Sequence, residues 1–122
     1  MVQEQTKLKI ADNTGVKVAK CIKVVKKSKQ KGKIGDIITV SIKKLKKNSS
    51  LKLKKKSVAK AVILRTTKFS RNSNGFYFKF NNNSIAFLDS QKNPVGTRVF
   101  GLIPRKLKKK YTKLLSLTIF LL

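Results

Sequence analysis

"IITVSIKKLKKNSSLKLKKKSVAKAVILR", residues 37–65, holds two strand patterns with a lysine run between them. In its first seven residues Ile38, Val40 and Ile42 face one way while Thr39, Ser41 and Lys43 face the other. That period of two is the signature of a half-buried strand. "VAKAVILR" at 58–65 is rich in β-branched and aliphatic residues and predicts a second strand. Between them, Lys43 to Ser57 puts eight lysines into fifteen positions: Lys43, Lys44, Lys46, Lys47, Lys52, Lys54, Lys55 and Lys56. Leu45, Leu51 and Leu53 interleave these lysines. Such spacing suits an extended hairpin, with one edge packed on the body of the fold and the other reaching along a groove.

The totals repeat the imbalance. The chain has 122 residues, the length of one domain, and 40% hydrophobic content supports a packed core. A domain of this size buries roughly two thirds of its unfolded surface. Thirty-one basic residues face four acids (Glu4, Asp12, Asp36 and Asp89), for a net charge of +27. Internal ion pairs can neutralise at most four of those cations, and the rest must repel one another or meet external anions. Screening at physiological salt acts over roughly 8 Å, and lysines this dense lie within it. The expected partner is a polyanion, RNA or DNA before any other.

Working outward, Val16 to Val25 predicts a strand with Val16, Val18, Ile22 and Val24 on one face, Lys17 and Lys23 on the other, and Lys20 interrupting the apolar side. "KKSKQKGKIGD" at 26–36 is a basic loop. Asn74-Gly75 signals a tight turn, because both residue types tolerate positive φ. The turn leads into "FYFKF", where Phe76, Phe78 and Phe80 share a face. These three rings are expected to fill a barrel interior, since burial of each stabilises a fold by roughly 1.5–3 kcal/mol. Tyr77 and Lys79, opposite them, are the better candidates for contact. "IAFL" at 85–88 and "TRVFG" at 97–101 are further short strands, with turns at 81–84 and 93–96. Short strands with turns about every ten residues argue for a small, mainly β barrel. After Pro104, Leu107, Tyr111, Leu114 and Leu115 fall at i, i+4, i+7 and i+8, which predicts a basic amphipathic helix docked by its apolar stripe. The barrel is expected over about 1–103 and the helical part over about 104–122.

Catalytic signatures are lacking. The chain has no histidine, and its four acids form no general acid/base pair by local spacing. Its one cysteine, Cys21, offers neither a zinc site nor a Cys/His nucleophile and is expected to be a small apolar filler. The six glycines stand apart in turns and make no phosphate loop. No enzyme activity, cofactor or metal is expected. The longest apolar run, "LLSLTIFLL" at 114–122, is about half the roughly 20 residues that span a bilayer, so no membrane insertion is expected. A basic amphipathic helix also suits an anionic membrane surface, which ranks second to nucleic acid for a strand-rich chain.

These stretches resemble the universal ribosomal large-subunit protein 14 family nearly end to end. The matching residues are "QEQT" at 3–6, "ADNTG" at 11–15, "CIKV" at 21–24, "GDII" at 35–38, "KAVILRT" at 60–66, "GTRVFG" at 96–101 and "RKLKKKYTKLLSL" at 105–117. Ala61-Val62-Ile63-Leu64, Asn74-Gly75, Phe80 and Asn83 follow the family's hallmark, whose closing pair is here the looser Ala86-Phe87. The family's final helix commonly has acids where this chain has Lys106 and Lys110. The resemblance implies a small five-stranded β-barrel with an extended basic hairpin and a short C-terminal helical segment, bound to large-subunit rRNA. The residues expected at rRNA are the eight lysines of the run together with Arg65, Lys68, Arg71 and Arg105. The resemblance also implies a place at the intersubunit face, with small-subunit rRNA at a bridge and neighbouring large-subunit ribosomal proteins as partners. Thr97, Arg98 and Lys113 match the surface that the family offers to the ribosome silencing factor.

The bases of this chain are 27 Lys against 4 Arg, accompanied by eight Asn. Lys and Asn codons are A-rich, so the composition points to an AT-rich genome. With the high charge and an N-terminus that runs straight into strand pattern without an Arg-rich leader, the expected location is the mitochondrial matrix. A plastid and a bacterial cytoplasm are the alternatives.

Overall fold

The computed structural model describes residues 1–25, 30–46 and 56–121. Nine strands run in the order β1 (Lys7–Ile10), β2 (Val16–Val24), β3 (Ile37–Leu45), β4 (Val58–Arg65), β5 (Ser70–Arg71), β6 (Tyr77–Phe78), β7 (Ser84–Leu88), β8 (Val99–Ile103) and β9 (Thr118–Leu121). A 3-10 turn at Arg105–Lys109 and a short helix α1 (Thr112–Ser116) separate the last two. Five strands close a barrel in the order β1-β2-β3-β4-β7. Neighbouring strands are antiparallel except β7 and β1, which pair parallel through Lys9 with Ser84 and Ile10 with Ile85. An odd number of alternating strands can close only with one such parallel seam. The expected mainly β, five-stranded barrel is therefore the fold.

Two apolar clusters share β4 and β7. Ala61 and Ile63 of β4, with Ile85 and Phe87 of β7, belong to the barrel interior alongside Leu8, Ala19, Cys21, Ile38, Val40 and Ile42. The alternate residues Val62, Leu64, Ala86 and Leu88 belong to a second cluster with Ala11, Val99, Ile103, Leu107, Tyr111, Leu114 and Leu115. Both faces of these two strands are thus buried. That is why "AVIL" and "IAFL" are continuous apolar runs, whereas β3, covered on one face, alternates.

Three expectations need correction. In β2 the buried residues are Val16, Ala19, Cys21 and Val24, while Ile22 is 44% exposed and Val18 only half-buried. Register shifts between Val16 and Val18, Val18 and Ala19, and Cys21 and Lys23 break the alternation, so a strict period of two picks the wrong face. Lys20 interrupts no apolar stripe, because the bulges put Ala19 and Cys21 on the inside. The rings at 76, 78 and 80 do not fill the barrel either. Phe76 is 72% exposed, and Phe78 and Phe80 are half-buried, packed edge-to-face at 5.8 Å. They sit on and after the small β5–β6 hairpin, outside the closed barrel, and the interior is filled by Phe87 and β-branched residues. The turn itself is as expected, with Gly75 at φ +82°.

The third correction concerns the C-terminus. The apolar stripe Leu107, Tyr111, Leu114 and Leu115 is buried as expected, but one continuous helix does not carry it. The 3-10 turn and α1 are separate, with Lys110 and Tyr111 between them. The chain then leaves α1 as β9, which pairs parallel to β8 through Val99 with Thr118 and Ile103 with Leu121. The Tyr111 hydroxyl donates to the Gly35 carbonyl at 3.1 Å. That bond ties the break to the β2–β3 connection.

Asp12 is the polar rivet of the fold. It is buried, and its carboxylate accepts from the Thr14 hydroxyl at 2.6 Å, the Thr14 N–H at 3.3 Å and the Phe87 N–H at 2.9 Å. Burial nevertheless outweighs these bonds and raises its pKa above the ordinary 3.8. A raised folded-state value means that the protonated carboxyl is the better tolerated form. This group's favourable contribution is full below 3.8 and lost as pH rises through the raised value. A carbon-detected NMR titration of Asp12 should therefore give a midpoint above 3.8, and a midpoint at or below it would contradict the arrangement. For packing, Phe87→Ala should cost about 3–5 kcal/mol in chemical denaturation, whereas Phe76→Ala should stay within about 0.5 kcal/mol.

Candidate nucleic-acid interface

The acids serve the backbone. Asp12 accepts the bonds just described, Asp36 accepts the Lys33 N–H at 2.9 Å, and Asp89 accepts the N–H groups of Gln91 and Asn93 at 2.9 and 2.8 Å. Three of the four carboxylates thus hold turns, and Asp12 and Asp36 are buried. The cations are placed differently. Lys43, Lys44, Lys46 and Lys56 are exposed, and so are Lys68, Arg71, Arg105 and Lys113.

The first basic surface lies at the base of the β3–β4 hairpin. The Ile42 N–H donates to the Ser57 carbonyl and the Lys56 N–H to the Ile42 carbonyl, which places Lys43 and Lys56 at the end of the pairing seen among the described residues. The Lys46 N–H donates to the Gly15 carbonyl at 2.7 Å, which ties this end of β3 to the β1–β2 turn. Lys47, Lys52, Lys54 and Lys55 lie outside the described residues, as do Leu51 and Leu53. So does the reach of the hairpin tip.

Arg65, Lys68, Arg71 and Arg105 lie elsewhere. Arg65 is seven residues beyond Val58, roughly 23 Å along an extended strand, so the expected set divides between two ends of β4. Arg65 itself is only half-exposed, and its guanidinium lies against Gly101. Gly101 has φ +83° and no room for a side chain there, because an added Cβ would meet Nη1 of Arg65. Burial lowers the pKa of this guanidinium, and its Nε has no hydrogen-bond partner among the described residues.

Lys68 and Arg71 line a pocket of about 240 Å³ together with Lys33, Lys106, Phe69, Ser70, Thr66, Ile34 and Met1. Sequence reading missed Lys33 and Lys106, because they come from the β2–β3 connection and the 3-10 turn, far apart in the chain. Two bonds bring them together. The Asp36 turn orients Lys33, and Tyr111 holds the adjacent Gly35. At Gly35, φ is +90° and an added Cβ would stand 3.0 Å from Leu107, so the loop and the 3-10 turn are in close contact. The Lys106 ammonium sits over the Phe78 ring at 5.3 Å, while Lys79 sits over Phe69 at 5.0 Å. Burial, with the Lys33 charge second, lowers the pKa of Lys106. Phe69 and Tyr77 are 61% and 66% exposed.

Thr97 and Arg98 occupy a third surface. Asn13 clamps both: its Oδ1 accepts from the Thr97 N–H at 2.8 Å and the Arg98 N–H at 3.1 Å, and its Nδ2 donates to the Thr97 hydroxyl at 2.6 Å. Gly96 makes this approach possible, since an added Cβ would lie 2.8 Å from Asn13 Oδ1. "ADNTG" and "GTRVFG" are thus one structural unit, further joined where the Phe100 N–H donates to the Ala11 carbonyl at 2.7 Å. Lys113 stands on the exposed side of α1. The Val99 N–H donates to the Leu117 carbonyl at 3.3 Å, so the exit of α1 is bonded to the strand that starts directly after Arg98.

No cluster of three or more His, Cys, Asp or Glu that suits a metal ion occurs among the described residues, and no helix among them is long and apolar enough to cross a membrane. The model of one family, described as ribosomal protein L14p/L23e, matches residues 1–122, the full length of the sequence. The chain belongs to the L14p/L23e family of ribosomal proteins.

Proposed function

We propose that the chain, as a single domain over 1–122, is a structural constituent of the large ribosomal subunit that binds rRNA mainly through phosphate contacts at its two basic surfaces. Membership of the family implies a structural protein of the large ribosomal subunit that binds rRNA. One observation carries the finer reading. Three of its four carboxylates hold backbone turns while nearly all the described lysines are exposed, so most of the +27 charge has to be met from outside. Lys43, Lys44, Lys46 and Lys56, with the run they flank, are proposed for one rRNA surface. Lys68, Arg71 and Arg105 are proposed for the other, with Arg65 behind them. Phosphate contacts of this kind position a protein without reading sequence.

The Thr97–Arg98 loop and Lys113 are proposed as the intersubunit surface, next to small-subunit rRNA and neighbouring ribosomal proteins and open to the ribosome silencing factor. The Asn13 clamp supports this reading, because it holds two backbone N–H groups of an exposed loop in one geometry. The proposed location is a mitochondrial ribosome, with plastid and bacterial ribosomes as the alternatives. Lysine in excess over arginine supports it through codon composition.

The chain should sediment with the large subunit and leave it only at high salt. Recovery in the low-salt soluble fraction would overturn the proposal. For duplex rRNA fragments, the log–log salt slope should be near −0.9 per neutralised phosphate. Replacing Lys43 and Lys44 by Ala should flatten that slope by about two units, with stability within about 0.5 kcal/mol of the parent. Asn13→Ala should weaken silencing-factor binding to the subunit as Arg98→Ala does, read by co-sedimentation. Binding by both variants equal to that of the parent would remove that surface from the proposal.

A further inference from the structure

The pocket between the β5 hairpin, the β2–β3 connection and the 3-10 turn has a chemistry that a flat phosphate-binding surface does not need. Four cations, Lys33, Lys68, Arg71 and Lys106, line one concavity with no carboxylate among them. Like charges so gathered repel, and partial burial, with the Lys33 charge second, lowers the pKa of Lys106. The arrangement is nevertheless built: the Asp36 turn sets Lys33, and the Phe78 ring holds Lys106. In the same wall lies an aromatic ring, Phe69, 61% exposed, although the chain buries Phe87 completely. Ser70 adds a hydroxyl.

We infer that this pocket receives one unstacked nucleotide of single-stranded RNA, its phosphate among Lys33, Lys68, Arg71 and Lys106 and its base against Phe69. The inference rests on the reading that the chain binds RNA, and it names the class of RNA for this end of the barrel. Two features select that class. A duplex keeps its bases stacked inside and can offer this concavity only its phosphates, so it leaves Phe69 unused. Cationic grooves with aromatic platforms are the general solution for single strands, because every base has a π-face. At the hairpin end, the pocket that Lys43 lines with Lys20 and Ser41 contains no aromatic ring. The two ends of β4 thus serve different RNA: phosphate contact at the hairpin end, an extruded base at the other.

The test uses the full chain and three probes in fluorescence anisotropy: a short oligouridine, the same strand with one abasic site, and an RNA duplex of similar length. Phe69→Ala and Phe69→Leu should each lower oligouridine affinity roughly tenfold, and neither should change duplex affinity. The single abasic site should cost the parent a similar factor, and cost the Phe69 variants nothing more. A 5-iodouracil strand should photocross-link to Phe69. Lys106→Ala should weaken all three probes together and flatten their salt slopes by about one unit. Unchanged oligouridine binding by both Phe69 variants, or an equal loss on oligouridine and duplex, overturns the pocket assignment while rRNA binding stands. If the parent binds neither oligouridine nor duplex, the RNA-binding reading fails with it.

Discussion

Strand Val58–Arg65 has to bury both of its faces, and much of the molecule answers that requirement. On one side Ala61 and Ile63 close the barrel interior against Ile38, Val40 and Phe87. On the other, Val62 and Leu64 need a cover, which the C-terminal segment supplies through Leu107, Tyr111, Leu114 and Leu115. Covering that outer face brings the 3-10 turn beside Gly35 and Lys33 and leads the chain out of α1 into a strand beside β8. The cation-lined pocket, the Arg65–Gly101 contact and the Asn13 clamp all lie where this outer layer meets the barrel.

Electrostatics is organised around the same frame. A carboxylate on the surface would offset one lysine, screened by salt and worth little. In a turn it satisfies backbone donors instead. Asp12 and Asp36, both buried, and the exposed Asp89 take that role. On its own the fold is self-repelling, and most of its charge has to be balanced from outside.

Legibility followed the geometry of each element. β4 was readable to the residue and β3 over 37–43, because β3 alternates on one buried face while Ala61–Leu64 of β4 are buried on both. The stripe from Leu107 to Leu115 was readable as apolar spacing but not as a broken helix, since the Tyr111 bond to Gly35 is a contact with a distant loop. β2 misled because its bulges reset the alternation, and a bulge leaves no mark in a period-two count. The phenylalanines of "FYFKF" misled for a related reason. Alternation shows that three rings share a face and says nothing about what that face meets.

The candidate site divides in the same way. From the sequence by itself came the barrel class, the family, the excess of positive charge and its concentration between two strands. All of these follow from local periodicity, order of motifs and composition. Only the tertiary structure decided that the cations occupy separate ends of one strand, that Lys33 and Lys106 share a pocket with Phe69, and that Asn13 holds the Thr97–Arg98 loop. Those facts depend on which residues meet across long stretches of chain, such as the 84 positions between Asn13 and Thr97. Closure of the barrel and packing of its outer layer settle such meetings, and neither is encoded in the spacing of neighbours.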